Sequence, residues 1–531
     1  MKRIGLLFIV LLAFILRIYR ISDVPPALSL DEVSIGYNAY SILITGADEY
    51  GTKLPLLLRA YDDWRPAFYV YLVVPSIKLF GLTPFGVRLP SVLAGTLTIL
   101  LTYFLVLELF GRTQIPEHND QQGKKSFIGH WVLSSGFLAV LSALLLAISP
   151  WHIYLSRLSH EVNLGLTFIV LGVYSFFRAI GNKKHVWWTV VSAVAFGLSL
   201  NSYQSQKIIA PVLVISLGLL YWKQLVEKKK QLIISVFIGL FIALPIIIVN
   251  LQPGALIRLR ATSAFPENQR KITSVQIFVS NYISHFRPAW LFAGGDRESH
   301  KVPGLGLMYI WEAPLIILGM FWLLRSGFDA RLKAFILLWL FSAPLPAAIT
   351  TQAPHAMRSF TFLPVWQILA AMGFVTLWKK PAMYAWMVLG VLTVGSSGYF
   401  AKQYFEVFPR TQSNSFQYAL TKAIPVALDR ESQYERVVFS NSNNLYQSYM
   451  FFLFYSRYDP ELYQKEGGTY SGGFAETHKI GKFEFRPISW EKEQKNGKTL
   501  YVGNVTDFPN TAPDVVISHL DGTPAVAIVG S

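Results

Sequence analysis

Apolar stretches broken by short polar segments recur from Ile4 to Phe400. A helix needs about 17–25 apolar residues to cross a bilayer, and its backbone groups must be satisfied within the segment. On that measure the pattern predicts about eleven spans. They lie near Ile4–Ile21, Arg88–Phe110, Trp131–Ser149, Asn163–Ile180, Val186–Leu200, Ile208–Trp222 and Leu232–Asn250. Four more lie near Leu307–Leu324, Ala334–Thr350, Phe360–Trp378 and Ala382–Phe400. The first follows Met1-Lys2-Arg3 and lacks a small-residue cleavage site, so it reads as an uncleaved span rather than a signal peptide.

The pattern changes in three places. Ser22 to Val87 is a long loop, in which Tyr37, Tyr40, Ile42 and Leu43 suggest a short amphipathic helix after Asp31. Phe68–Phe80 suggests a second helix at the interface. Gln252–Gly306 is another long loop, and a polar tail runs from Ala401 to Ser531. The tail mixes a helical stretch, Leu445–Arg457, with strand-like runs at Arg436–Phe439 and Val515–Ser518. The expected fold is an α-helical polytopic membrane protein with a small extracytoplasmic α/β C-terminal domain. The expected division is a transmembrane domain, 1–400, carrying the first outer loop 22–87, and a tail domain, 401–531.

Composition agrees. Of 531 residues, 53% are hydrophobic and only 15% charged, against about 25% in soluble domains. The net charge of +16 would suggest nucleic acid in a soluble protein. Here the basic residues cluster in alternate loops: Lys2 and Arg3; Arg112, Lys124 and Lys125; Lys183 and Lys184; Lys223 and Lys228–Lys230; Arg325, Arg331 and Lys333; Lys379 and Lys380. That alternation puts these loops and the N-terminus in the cytoplasm. An odd number of spans puts the tail outside. With no Cys, disulfides, thiolate zinc sites and cysteine nucleophiles are excluded.

The outer ends of the spans collect polar groups. Asp31-Glu32 follows the first span and can serve as a general base or hold a metal; as a bland alternative, Asp31 caps a helix. Asp48-Glu49 and Asp62-Asp63 read as solvated loop or turn residues. Arg157 and Glu161 are four apart, so a continuous helix would put them on one face. Tyr203 and Lys207 occupy the next outer turn, where Lys207 could equally snorkel. Asp296 and His300 precede the eighth span. His355 and Arg358, three apart, can meet one phosphate or anchor a lipid headgroup. The sequence contains no Walker loop, dinucleotide fingerprint or zinc-type histidine cluster. An outward-facing enzyme without a nucleotide supply needs an activated substrate delivered through the membrane, and a lipid phosphate ester meets that need.

These elements, in this order, resemble the GT-C glycosyltransferases that use lipid-phosphate sugar donors. The likeness is to bacterial relatives of the protein O-mannosyltransferases and the aminoarabinose transferases (glycosyltransferase family 39). It runs from Ile4 to about Trp378 and rests on Asp31-Glu32, Arg88-Leu89-Pro90-Ser91, Ser156-Arg157 with Glu161, Gly295-Asp296, Pro303-Gly304, and Pro354-His355 with Arg358. The resemblance implies an inverting transfer from a polyprenyl phosphate at the outer face of the cell membrane. The acceptor would be lipid, glycan or protein; no nucleic acid is involved. It assigns proton abstraction to Asp31, with Glu32 as partner or alternative. Arg157, Lys207, His355 and Arg358 would meet the donor phosphate, with Arg88, Glu161, Tyr203, Asp296 and His300 in support. It leaves a divalent metal open. A flippase for lipid-linked glycans is the competing reading, but such transporters carry paired halves and interrupted midplane helices, which the sequence does not display. A non-catalytic glycan-binding protein built on the tail is the third.

Overall fold

The computed structural model describes residues 2–61, 63–111, 127–181, 187–250, 263–265, 271–294, 300–377, 383–469 and 477–531. Asp62, Asp296, Gly295 and the basic residues Arg112, Lys124, Lys125, Lys183, Lys184, Lys379 and Lys380 lie outside them, as do residues 252–262, 266–270 and 295–299 of the second long loop. The chain divides into two units. One comprises Met1–Tyr19, Ser91–Ser156 and Glu161–Phe400; the other comprises Arg20–Pro90, Arg157–His160 and Ala401–Ser531.

The first unit is helical. A helix overlaps each of the eleven predicted stretches. Among the described residues five helices are long and apolar enough to cross a membrane: Pro84–Phe110, Glu161–Ile180, Lys229–Ile248, Ala330–Ala348 and Phe360–Leu377. A sixth candidate joins Ser135–Ile148 to Pro150–Ser156 through a 60° bend. Some regular stretches are shorter than expected, for local reasons. Pro344 breaks the Ala330–Ala348 span after Ser342, and its last turn, Leu345–Ala348, ends short of the expected Thr350. Leu307–Trp311 is irregular, and the next helix begins only at Glu312. Helix Lys229–Asn250 keeps Phe237, Phe241 and Leu244 exposed, as a lipid-facing helix does. Helices Glu312–Arg325 and Val365–Leu377 pack closely through Gly319 and Gly373. A Cβ on Gly319 would overlap the Leu369 carbonyl, and one on Gly373 the Leu315 carbonyl. Small residues at such crossings replace the hydrophobic drive that lipid removes.

The second unit holds the first loop and the tail. The expected division assigned residues 22–87 to the membrane domain. Instead Arg20–Pro90 groups with the tail, because helix Leu30–Thr45 packs on helices Ser448–Tyr455 and Pro460–Lys465. A hairpin of β1 (Leu57–Ala60) and β2 (Asp63–Pro66) follows that first helix, then helix Phe68–Phe80. The tail forms a six-stranded mixed sheet, ordered β4-β5-β3-β6-β8-β7. Its strands are β3 (Arg436–Phe439), β4 (His478–Ile480), β5 (Phe483–Phe485), β6 (Thr499–Asn504), β7 (Val515–Ser518) and β8 (Pro524–Gly530). β3 is parallel to both neighbours; the other pairs are antiparallel. Its Val437, Val438 and Phe439 are all buried, as expected for a central strand covered on both faces. Helix Tyr418–Arg430 covers β6, β7 and β8. Val438, Tyr501, Ala527 and Val529 share a core with Trp490 and Phe508.

Candidate active site

The acidic pair sits at the start of helix Leu30–Thr45, and the two carboxylates differ sharply. Ser29, not Asp31, caps the helix: its Oγ accepts from the Glu32 N–H, and Glu32 Oε2 accepts in return from the Ser29 N–H at 2.9 Å. This reciprocal box satisfies two otherwise unpaired donors of the first turn. Glu32 also accepts from Arg88 Nε at 2.8 Å, Arg88 NH2 at 3.0 Å and the Ser159 N–H at 2.8 Å. It is fully buried, and four donors converge on its two oxygens. Asp31 instead keeps 46% of its side chain exposed, and its Oδ1 accepts from Arg65 NH2 at 2.7 Å. Standing in the first helical turn, its carboxylate also meets the positive end of the helix dipole. Of the two acids, Asp31 is the one a substrate can reach.

Arg88 and Arg157 organise the chain that leads into this helix. Arg88 Nε and NH2 hold Glu32. Its NH1 donates to the carbonyls of Ile21 and Pro25, and NH2 donates also to that of Ala27. All five guanidinium donors are thereby engaged. Arg157 NH2 donates to the Val24 carbonyl at 2.7 Å and to that of Arg20. Its guanidinium lies over the rings of Tyr404 and Phe405. The segment Val24-Pro25-Pro26 has few donors and no regular structure, so its carbonyls need outside partners. The two arginines supply them. Arg157, expected on the donor phosphate, is buried against backbone and aromatic rings. Nor does one helix carry both Arg157 and Glu161: Pro150–Ser156 ends before Arg157, and Glu161 opens the next helix.

Two residues outside the sequence reading belong here. Arg65 comes from β2, behind an acidic pair and before Pro66, where only its lone positive charge would have drawn notice. Tyr61, in the hairpin turn, donates to the Leu30 carbonyl at 2.8 Å, tying the hairpin to the turn that carries Asp31.

The second acidic pair also differs from expectation. Asp48 does make a turn, its Oδ1 accepting from the N–H groups of Tyr50 and Thr52. Neither acid is solvated, however; both are buried. Glu49 accepts from Asn38 Nδ2 at 3.0 Å and Thr469 Oγ1 at 2.8 Å, and Tyr463 joins Thr469 to His478. Burial pushes the Glu49 carboxyl up to about 7. Its folded value exceeds the ordinary 4.5, so its stabilising contribution is complete below that value and disappears as pH rises through about 7. In detergent, the wild-type melting temperature should fall more between about pH 5 and about pH 8 than that of Glu49→Gln. Parallel losses in the two proteins would show that Glu49 does not titrate there.

The remaining candidates lie in the first unit. His355 is buried, and its ring stacks on His300 with centroids 4.6 Å apart. The His355 N–H donates to His285 Nε2 at 3.1 Å. Burial pushes His285 down to about 4, so it is neutral, and its Nδ1–H donates to the Asn281 carbonyl at 2.8 Å. The same Asn281 donates through Nδ2 to the carbonyls of Ala348 and Thr350. Arg358 NH1 donates to Thr350 Oγ1 at 2.7 Å. Trp151 Nε1 donates to the Ala356 carbonyl, and its ring packs on Trp290 and Phe360. The loop bearing His355 and Arg358 is thus fixed on three sides, and His285, absent from the sequence reading, is one of its supports. Lys207 donates to Asn250 Oδ1 at 2.9 Å. Tyr203 is buried in the preceding turn, and Glu161 is buried at the head of its helix. Among the described residues no three His, Asp or Glu side chains form a metal-binding group.

A family model described as dolichyl-phosphate-mannose-protein mannosyltransferase matches residues 133–249. A structure of ArnT from Cupriavidus metallidurans bound to undecaprenyl phosphate superposes with a TM-score of 0.58 at 11% identity, covering 99% of this chain and 97% of that one. The same protein in the apo state gives 0.57 at 13% identity, covering 98% and 97%. An archaeal oligosaccharyltransferase from Archaeoglobus fulgidus gives 0.49 at 13%, covering 85% and 61%. No curated protein sequence matches the chain. The chain is a polytopic membrane protein with the GT-C fold. Residues 133–249 match the mannosyltransferase family model, and over nearly its whole length the chain shares its fold with ArnT.

Proposed function

We propose that this protein transfers a sugar from a polyprenyl-phosphate donor to an acceptor hydroxyl at the outer face of the cell membrane, with inversion. The observation that carries the reading is the asymmetry of the acidic pair: Glu32 is consumed in the fold, whereas Asp31 stands half-exposed on a helix N-terminus braced by Arg65. Asp31 takes the proton of the acceptor hydroxyl. The acceptor oxygen bonds to the anomeric carbon from the face opposite the phosphate. The anomeric carbon–phosphate oxygen bond breaks, and polyprenyl phosphate leaves with the electron pair. Cations and hydrogen-bond donors near that oxygen lower the barrier as its charge grows. In this reading Lys207, His355 and Arg358 are the groups for that task, and Arg157 holds the loop behind Asp31. The eleven helices are spans, with the N-terminus cytoplasmic and the tail domain outside.

The lipid donor has support from relatives and from composition. The matched family description names a dolichyl phosphate, and the ArnT structure holds undecaprenyl phosphate. In the first unit an apolar cavity of about 560 Å³ lies among helices Trp188–Leu200, Gln206–Leu220 and Lys229–Asn250, lined by Phe196, Val214, Trp222 and Leu240. Such a lining suits an isoprenoid tail.

Proteoliposomes containing the protein and synthetic polyprenyl-phosphate sugars test the reading. Release of polyprenyl phosphate that requires an acceptor hydroxyl is the expected result. Translocation of a fluorescent lipid-linked glycan with no release from any donor would overturn it in favour of a flippase.

A further inference from the structure

β3 and β6 lie side by side and parallel, and the chain leaves their C-terminal ends in opposite directions. From β3 it passes through two helices to β4 and β5, on one side. From β6 it turns to β7 and β8, on the other. Diverging connections of this kind open a crevice beyond the strand ends, where open α/β sheets bind small molecules. A cavity of about 350 Å³ lies there, lined by Asn443 and Asn444 after β3 and by Asn504 at the end of β6. Asn414, Gln417, His519, Thr506 and Thr523 complete its polar surface. The volume falls in the range of small-molecule sites, about 300–1,000 Å³.

The lining specifies the ligand. It holds five carboxamides, on Asn414, Gln417, Asn443, Asn444 and Asn504, and among the described residues no Lys, Arg, Asp or Glu. A carboxamide offers donor and acceptor together, matching a pair of neighbouring hydroxyls. Asn504 already caps the turn Val505–Asp507 and Asn444 Nδ2 donates to Asn414 Oδ1, which leaves Gln417, Asn443 and the outer atoms of the Asn414–Asn444 pair for a ligand. A charged ligand would lose water there without gaining a counter-charge. Two polar atoms remain to be satisfied. Gln417 is 4% exposed, and its Nε2 donates to the Tyr446 carbonyl, but its Oε1 is buried with no partner in the protein. His519 Nδ1 is buried likewise, and burial pushes that imidazole down, so it is neutral at pH 7. Gln417 and Asn443 also adopt left-handed backbone conformations, with φ of 50° and 53°. Strain of this kind in non-glycine residues gathers at ligand sites.

We infer that this crevice binds a neutral sugar ring, and that the tail domain is a glycan-binding module apart from Asp31. Calling that sugar part of the acceptor rests on the proposed transfer; the binding itself does not. Saturation-transfer NMR on the full chain in detergent micelles tests it, with glucose, galactose, mannose and N-acetylglucosamine as neutral probes and glucuronic acid as the anionic one. At least one neutral probe should bind saturably, with an affinity indifferent to salt. Ala525→Phe, which fills the cavity from β8, and Asn444→Ala, at an exposed amide, should each weaken binding by about tenfold or more. Asp31→Asn should bind as wild type does. Sugar binding by a protein that transfers nothing would sink the transferase reading and keep the site. Saturable binding of none of the neutral probes, binding untouched by Ala525→Phe, or preference for glucuronic acid would overturn the site.

Discussion

Asp31→Asn should lower sugar transfer by about 10²–10⁴-fold, the usual contribution of a positioned general base, while the melting temperature barely moves. Both halves follow from the position of the side chain. Asparagine keeps the size and the first-turn location but cannot take a proton from the acceptor. The pair it alters joins a half-exposed acid to a buried guanidinium, and the asparagine Oδ1 can still accept from Arg65, so the loss should be on the order of 1 kcal/mol. Glu32→Gln makes the contrast: it weakens a fully buried pair, so its loss of activity should come with a loss of folded protein. Separate measurements of initial transfer rate and of melting distinguish the two. If Asp31→Asn transfers at the wild-type rate, the base is elsewhere. Arg65 adds a further reason to look at Asp31: its guanidinium at 2.7 Å fixes the carboxylate in place.

Much of this arrangement was legible in the sequence, and the exceptions share a cause. Lipid forces apolar runs and internally bonded backbones, so a helix lies at every predicted stretch. The tail strands Arg436–Phe439 and Val515–Ser518 fall where β-branched runs put them, and Phe68–Phe80 is a helix as expected. Helix ends depend on single local residues, and there Ser29 and Pro344 decide against the hydrophobic pattern. Partners distant in sequence leave no local trace. The burial of Glu49 is completed by Thr469, 420 residues away. Arg157 looks like a phosphate ligand until its acceptors are seen to be carbonyls more than 130 residues earlier. His285 lacks any motif around it, and only the fold brings its ring to the His355 N–H.

The largest effect on stability should come from Arg88→Met, at about 3–5 kcal/mol, the cost of removing one partner from a buried ion pair. Methionine fills much of the volume, so the loss is one of charge and hydrogen bonds. Glu32 would remain buried with only the Ser29 and Ser159 N–H groups as donors. The carbonyls of Ile21, Pro25 and Ala27 would lose their donor as well. The double variant Arg88→Met with Glu32→Leu separates these two contributions. Removing both charges abolishes the uncompensated carboxylate, and for an ordinary buried pair that restores stability. Here recovery should be partial, because three carbonyls of the Arg20–Ala27 segment still want donors and the helix has lost one side of its capping box. A cycle of the two singles and the double, read by melting in detergent, measures the coupling. Full recovery in the double would mean that Arg88 serves only to neutralise Glu32. An unchanged melting temperature for Arg88→Met alone would mean that the segment leading to Asp31 is held by something other than this guanidinium.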